Sequence, residues 1–280
     1  MFVLAVPNWA LWLSEAECAE VAHWLESYGV RVHDVSSDVD HGRTVTGFSG
    51  ELGHVTTALD ALAERLLPAI DLRRATGVHP RTGALDVVPF VCPDDSSALL
   101  EPVDRWAEAF AARWRIPMVR YAQSSPRGRS LPDIRRTRAA RTDFGPSEPH
   151  PQWGQTVYGV RTFLIAANVN LATEDPAIAK AIAREIRTRR EAGDPGWAGV
   201  RALGFPLPSR NLTQVSLNIT EPDRVDLARI FESIQARAAA AGVDVAGGEL
   251  VGVIRPQDVS GCAMLHPRPE QVVAEFGPVP

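Results

Sequence analysis

"VRTFLIAANVNL", residues 160–171, is an apolar run broken only by Arg161, Thr162, Asn168 and Asn170. Near-continuous apolar character of this kind reads as a strand covered on both faces. After it, "DPAIAKAIAREIRTRR" carries apolar residues at helical spacing, with Pro176 near the first turn, where proline is tolerated. "GVRALGFPL" and "LTQVSLNI" read as strands, residues 221–242 as a helix stopped at Gly242, and "GELVGVI" as a last strand. The order is β-α-β-β-α-β.

The residues before the run show the same order. Phe2 to Val6 reads as a strand closed by Pro7-Asn8. Ser14 and Glu17 have capping-box spacing, Val21, Trp24 and Leu25 recur at helical spacing, and Gly29 stops the helix. "VRVHDVSS" and "RTVTGFSG" read as strands around the loop 37–42. Leu59, Leu62, Leu66 and Leu67 mark a helix over 51–69. "ALDVVPFV" is a short apolar strand, 96–114 an amphipathic helix and "MVRYA" a closing strand. Residues 123–157, rich in Ser, Pro, Gly and Arg, read as a connector. The fold expected is α+β: two tandem ferredoxin-like (βαββαβ) subdomains, 1–157 with the connector and 158–280, flanking a cleft or tunnel suited to a ligand.

A chain of 280 residues with 45% apolar content can bury one large core or two small ones. A net charge of −5 and a pI near 5.8 speak against a nucleic-acid partner, and the strands lack the aromatics that sheet-based RNA readers use. Cys18, Cys92 and Cys262 make no disulfide framework, and a reducing, cytoplasmic setting is expected. No apolar run approaches the ~20 residues that cross a bilayer, so no membrane partner is expected. The opening "MFVLAVPNWALWL" lacks a basic leader and is interrupted by Pro7 and Asn8, so it reads as a strand rather than a signal peptide.

Seven histidines are present. His23 on a helix and His33 in a strand read as packing or surface residues. There is no His-x-x-x-His pair and no Cys-x-x-Cys, and no metal is expected. His79 differs. It lies in a loop between Gly77 and Gly83, and the following Pro80 pushes it toward an extended backbone. An imidazole held out from the chain, with an ordinary pKa near 6.5, can take or give a proton near neutral pH. "SSDVDHGRTV" gathers Asp38, Asp40, His41 and Arg43, and reads either as a site loop or as a solvated hairpin connection. Arg127, Arg129, Arg135, Arg136, Arg138 and Arg141 form a solvated connector, a nucleic-acid arm, against which the acidic overall balance weighs, or a clamp for a polyanionic small molecule.

Taken together, "VPN", "SSDVDHGRTV", "IDLRRATGVHPRTGALDVVPF", "LPDIRR", "DFGPSEPHPQWG", "GVRTFLIAANVNL", "QVSLNIT" and "GGELVGVI" resemble the formiminotransferase family, in order and across nearly the whole chain. The resemblance is to the glutamate formimidoyltransferase part, without a cyclodeaminase domain. It implies transfer of a formimino (or formyl) group between an amino acid such as N-formiminoglutamate and tetrahydrofolate as co-substrate, within histidine degradation. It implies His79 as general acid/base, and Arg81, Asp38, Asp40 and Arg43 as substrate-binding residues. It also implies a folate site along Gly145, Pro146, Ser147, Glu148, Pro149, His150, Pro151, Gln152, Trp153 and Gly154. Trp153 supports two readings, a ring packed on the flat folate or a core anchor. Arg135 and Arg136 are expected to meet the folate glutamates.

The family pattern has Glu where Val78 stands, a basic-His-basic run where Arg74-Ala75-Thr76 stands and Asn where Gly42 stands; Trp9 and Trp12 mark a rewritten opening loop. These departures leave open a non-glutamate amine partner in a specialised pathway, or a non-catalytic folate-binding homologue. The sequence leaves oligomeric state, a homodimer included, undetermined.

Overall fold

The computed structural model describes residues 1–93, 96–137 and 142–276. The chain divides into two compact units, Met1–Thr162 and Phe163–Pro280.

In the first unit, β1 (Phe2–Ala5) and β2 (Asn8–Trp9) are two halves of one extended stretch broken at Val6-Pro7. Both pair antiparallel with β4 (Arg43–Glu51) on one side and β5 (Leu85–Val91) on the other. β3 (Arg31–Asp38) pairs antiparallel with the far edge of β4. α1 (Glu15–Glu26) joins β1 and β2 to β3, and α2 (Leu52–Leu66) joins β4 to β5. α1 begins where the sequence marks it: Ser14 Oγ accepts the Glu17 N–H (3.3 Å), and the Glu17 carboxylate accepts the Ser14 N–H (2.8 Å). α3 (Leu100–Trp114) leads to β6 (Met118–Arg120), α4 (Leu131–Arg136) follows, and β7 (Thr156–Val160) enters parallel between β5 and β6. α1, α2 and α3 press Leu25, Leu59 and Phe110 into one core with Trp9, Phe48 and Phe90 of the sheet. A smaller cluster of Val87, Val119, Tyr121 and Val157 is closed by Ile134 of α4.

In the second unit, β8 (Ile165–Leu171), α5 (Pro176–Glu191), β9 (Val200–Leu207), β10 (Leu212–Ile219), α6 (Leu227–Ala240) and β11 (Val245–Val251) follow in that order. The sheet order is β11-β8-β10-β9, antiparallel throughout. Ile182, Ile186, Ile230 and Ile234 of the two helices pack on Val169, Val215 and Leu217.

The α+β class and the tandem organisation stand. Two details differ from the sequence reading. The connector 123–157 holds α4, whose Ser130 and Asp133 form a capping box with Pro132 in the first turn, and it runs into β7. The run 160–171 is also not one strand. Val160 ends β7 in the first sheet, 161–164 are irregular, and β8 starts at Ile165 in the second sheet. Apolar character alone does not show a change of sheet. A boundary at 157/158 therefore falls inside β7, whose pairing with β5 and β6 carries the first unit on to Thr162.

Candidate active site

Two loops of the first unit meet backbone to backbone at one end of its sheet. One, 39–42, connects β3 to β4; the other, 76–81, precedes β5. The Val78 N–H donates to the Asp40 carbonyl (2.9 Å). Gly42 (φ 58°) and Gly77 (φ 108°) allow the approach: a Cβ on Gly42 would lie 2.2 Å from the Thr76 carbonyl oxygen, and one on Gly77 would lie 2.4 Å from that of His41. Asp38, at the end of β3, turns the first loop by accepting the His41 N–H at Oδ1 (2.8 Å). The result sets the His41 and His79 rings 5.8 Å apart, centre to centre.

His79 is half-buried, and its Nδ1 lies 2.9 Å from the Pro80 carbonyl oxygen. A carbonyl only accepts, so Nδ1 carries the hydrogen, and in the neutral ring Nε2 carries the lone pair. Burial, then the positive charges of Arg43 and Arg135, hold the imidazole well below its ordinary pKa, against the opposing pull of the Pro80 bond and Asp86.

Those two arginines meet at Asp86, a fully buried residue in an otherwise apolar strand. Along β2 and β5, Asn8 pairs with Val87 but Trp9 pairs with Leu85, so Asp86 is the surplus residue of a bulge. Its carboxylate accepts Arg43 Nη2 (2.6 Å), Arg135 Nη2 and the Thr82 N–H (2.7 Å). Burial alone would raise its pKa; the two guanidiniums and the Thr82 N–H outweigh that and hold it at about 2. Arg43 also donates to Asn8 Oδ1 (2.6 Å) and the Pro80 carbonyl (3.1 Å), so the "VPN" asparagine orients it. Burial lowers the Arg43 pKa to about 10 while Asp86 opposes the shift. Two guanidiniums share one carboxylate, and Arg135 Nε is buried without a hydrogen-bond partner.

The "GPSEPHPQWG" stretch reaches the same neighbourhood through a hairpin. His150 and Gly154 exchange N–H···O bonds of 2.8 Å, and Gln155 N–H and Trp153 O bond to Thr82 O (3.1 Å) and Ala84 N–H (2.9 Å) at the entry to β5. His150 Nδ1 accepts the N–H groups of Gln152 (3.2 Å) and Trp153 (3.1 Å), and its ring stacks on Trp153 at 4.5 Å. The Trp153 indole N–H donates to the Leu67 and Ile70 carbonyls (2.9 and 3.2 Å), and its ring meets Trp114 edge-on. That is the anchoring geometry of the two readings. Gly145, Ser147, Glu148 and Pro149 are exposed; Pro146 and Gln152 are half-buried, and Pro151 is exposed.

Among the residues singled out from sequence, His79, Arg43, Asp38, Asp40 and Arg81 are brought together. Arg81 points all its hydrogen bonds at main-chain carbonyls. The arginine stretch is dispersed: Arg129 binds Asp143, Arg135 turns in to Asp86 and Arg136 pairs with Asp133 on the exposed side of α4, while Arg138 and Arg141 lie outside the described residues. Arg135 and Arg136 therefore do not form one clamp, because adjacent helical positions point apart. Asp86 enters the site without having been selected from sequence, and Asn8 enters it from a stretch read only as a turn and a family motif. A lone carboxylate inside "ALDVVPFV" was the available signal for the first. Among the described residues, no group of three or more His, Cys, Asp or Glu is arranged to hold a metal ion, and no helix is long and apolar enough to cross a membrane.

Comparison with known proteins places the chain among the transferases. Residues 2–161 match the N-terminal subdomain of the formiminotransferase domain, and residues 166–273 match the formiminotransferase domain, so the chain belongs to that family. Glutamate formimidoyltransferase of Streptococcus pyogenes serotype M1 is 32% identical over 240 residues, 80% of this chain and 79% of that protein. The enzyme of the same name from Thermoplasma acidophilum is 32% identical over 247 residues, 81% and 79% of the two chains. Formimidoyltransferase-cyclodeaminase of Gallus gallus is 32% identical over 263 residues, 87% of this chain but 48% of that protein. Among solved structures, pitrilysin aligns at a TM-score of 0.22 and 12% identity over 87% of this chain and 34% of that one, too slight a likeness to bear on the fold.

Proposed function

We propose that this chain moves a formimino group from an N-formimino amino acid to tetrahydrofolate, with His79 Nε2 carrying the proton. The attacking folate amine loses a proton as its new C–N bond forms, and the amino acid nitrogen gains one as its C–N bond breaks. A single imidazole between the two balances the exchange. The observation that carries this reading is the His79 ring, fixed by the Pro80 carbonyl in the tautomer that leaves Nε2 basic, beside Arg43 and Arg135. The lowered pKa keeps the ring neutral near pH 7 and makes its protonated form a strong acid toward the leaving nitrogen. The arginines, which outnumber the carboxylate they share, suit an anionic substrate. The cytoplasm is the compartment proposed, and the folate stretch 145–154 is proposed as the co-substrate's approach.

Incubation with tetrahydrofolate and N-formiminoglutamate, followed by absorbance of the formimino product, tests the reading. Activity is expected, and His79→Ala should lower kcat by about 10²–10⁴-fold. Wild-type-like turnover in His79→Ala removes the imidazole from its role.

A second reading concerns the amino acid. Val78, Val39 and Trp12 are 37%, 50% and 52% exposed. Val78 and Val39 sit on the two site loops, and Leu13, next to Trp12, donates its N–H to Ser37 Oγ of β3 (2.8 Å). Exposed apolar side chains on both site loops favour a donor less polar than glutamate. A higher kcat/KM with N-formiminoglutamate than with an apolar N-formimino amino acid rejects it.

A further inference from the structure

Arg81 is the family-motif arginine expected to grip an anion, yet every hydrogen bond its guanidinium makes among the described residues ends on the main chain. Nε donates to the His79 carbonyl (3.3 Å), Nη1 to that of Gly42 (3.4 Å), and Nη2 to those of His41 (3.2 Å) and Gly77 (3.0 Å). Two of these acceptors lie on the 39–42 loop and two on the 76–81 loop. A planar fork with five donors can bridge several oxygens at fixed angles, which a lysine ammonium cannot reproduce. The guanidinium is half-buried between the loops, and the only other main-chain link between them described here is Val78 N–H to Asp40 O. The glycines at 42 and 77 let the chains approach but supply no attraction; the donors of Arg81 supply it. Arg43 and Arg135, in contrast, spend their charge on a carboxylate beside the His79 ring.

We infer that Arg81 is a positioning residue: it ties the two loops through four main-chain carbonyls and so fixes the His79 ring against Arg43 and Pro80, instead of binding the substrate anion. The activity arm of the test rests on the formimino-transfer reading; the spectroscopic arm does not. Cutting the tie leaves the 76–81 loop held to the 39–42 loop by the Val78–Asp40 main-chain bond and to β4 by the Arg43–Pro80 bond, with four fewer bonds to fix its position. A displacement of about 1 Å at a reacting group costs on the order of 100-fold in rate. The groups acting on the imidazole are Arg43, Arg135 and Asp86, with the His41 ring 5.8 Å away. Arg81 reaches the His79 carbonyl, and Asp40 on the 39–42 loop and Asp38 at the end of β3 lie on the opposite side of the contact.

The experiment compares wild type, Arg81→Ala and Arg81→Lys, with His79→Ala used to assign the His79 ring signal in a carbon–proton NMR spectrum. In Arg81→Ala, kcat is expected to fall about a hundredfold with KM for the formimino donor within about threefold of wild type. The His79 titration should move up toward the ordinary histidine range as the ring leaves its two arginine neighbours. Arg81→Lys should recover part of both effects. A KM raised tenfold or more at unchanged kcat, with the His79 signal unmoved, overturns the inference and returns Arg81 to the substrate. Should Arg81→Ala fail to fold by circular dichroism, Arg81→Lys decides between the same two outcomes. Should wild type prove inactive, the functional reading fails, while an unmoved His79 titration in the Arg81 variants still rejects the tie and a shifted one upholds it.

Discussion

The two units share an element order and an antiparallel four-strand core, yet they bury different polar chemistry. The second unit buries carboxamides: Gln214 Nε2 donates to Asn170 Oδ1 (2.9 Å), and Asn170 Nδ2 donates to Glu249 Oε1 (2.7 Å), which also takes Arg210. Gln214 and Asn170 are directly opposite on β10 and β8, and Glu249 is opposite Asn168 on β11 and β8. These are cross-strand pairs that hold strand register. The first unit extends its sheet by β7 and β6 and buries a charge, Asp86, between Arg43 and Arg135. Buried charge is costly and weak evidence of stabilisation. The second unit also buries a charged pair, Asp258 with Arg255; what sets the first unit apart is that two guanidiniums share its carboxylate and both act on the His79 ring.

The contrast can be broken most directly at its centres. Asp86→Ala leaves two guanidiniums without their carboxylate and should cost about 3–5 kcal/mol, whereas Asn170→Ala should cost about 1 kcal/mol; urea unfolding of both variants measures the difference, and equal losses would erase it. The same carboxylate has a folded pKa below its unfolded one, so its contribution is present above about pH 4 and is lost as pH falls toward 2. Acid unfolding of Asp86→Asn should therefore show a flatter dependence over that window. Gly42→Asn, which restores the family residue, places a Cβ against the Thr76 carbonyl and should cost about 1–3 kcal/mol; a variant as stable as wild type would show that the loops part easily.

Smaller effects sharpen the electrostatics. On the proposed role of His79 as the neutral base, the acid limb of kcat/KM should lie below pH 6.5, because its pKa is lowered by burial and by Arg43 and Arg135. Arg135→Ala removes one of those charges and should move the limb upward; a limb that moves down or stays fixed contradicts that account. Trp153→Phe loses the N–H bonds to Leu67 and Ile70 and should cost about 1 kcal/mol with folate affinity unchanged. A tenfold loss of folate affinity at unchanged stability would make the ring a ligand platform instead.

Much of the fold was legible because it is periodic. The capping box at Ser14 and the spacing of Leu59, Leu62 and Leu66 located helices, and both β-α-β-β-α-β orders emerged from alternation and turns. What escaped depends on distant partners. Short α4 carried its own capping box, but its polar composition looked like connector. The sequence singled out His79 through its rigid neighbour and family motif and the Asp38–Arg43 loop through the same resemblance, and the structure sets that loop beside His79. Asp86 was hidden in an apolar strand, since its meaning comes from arginines 43 and 49 residues away in sequence. For Arg81, a guanidinium beside a catalytic-looking histidine suggests an anion, and nothing local in the sequence reveals the four main-chain carbonyls it meets.

The bulge at Asp86 has a consequence for anyone who would move this histidine elsewhere. A surplus residue fixes which side of β5 every later side chain faces, so the acid and the packing of both covered faces of the strand are set by one insertion. Grafting the loops onto a regular strand would bring the imidazole without its counter-ion system. Deleting the surplus residue would exchange the two covered faces of the strand, sending Val87 toward the core that Val88 and Phe90 fill and breaking both packings before any chemistry was tested.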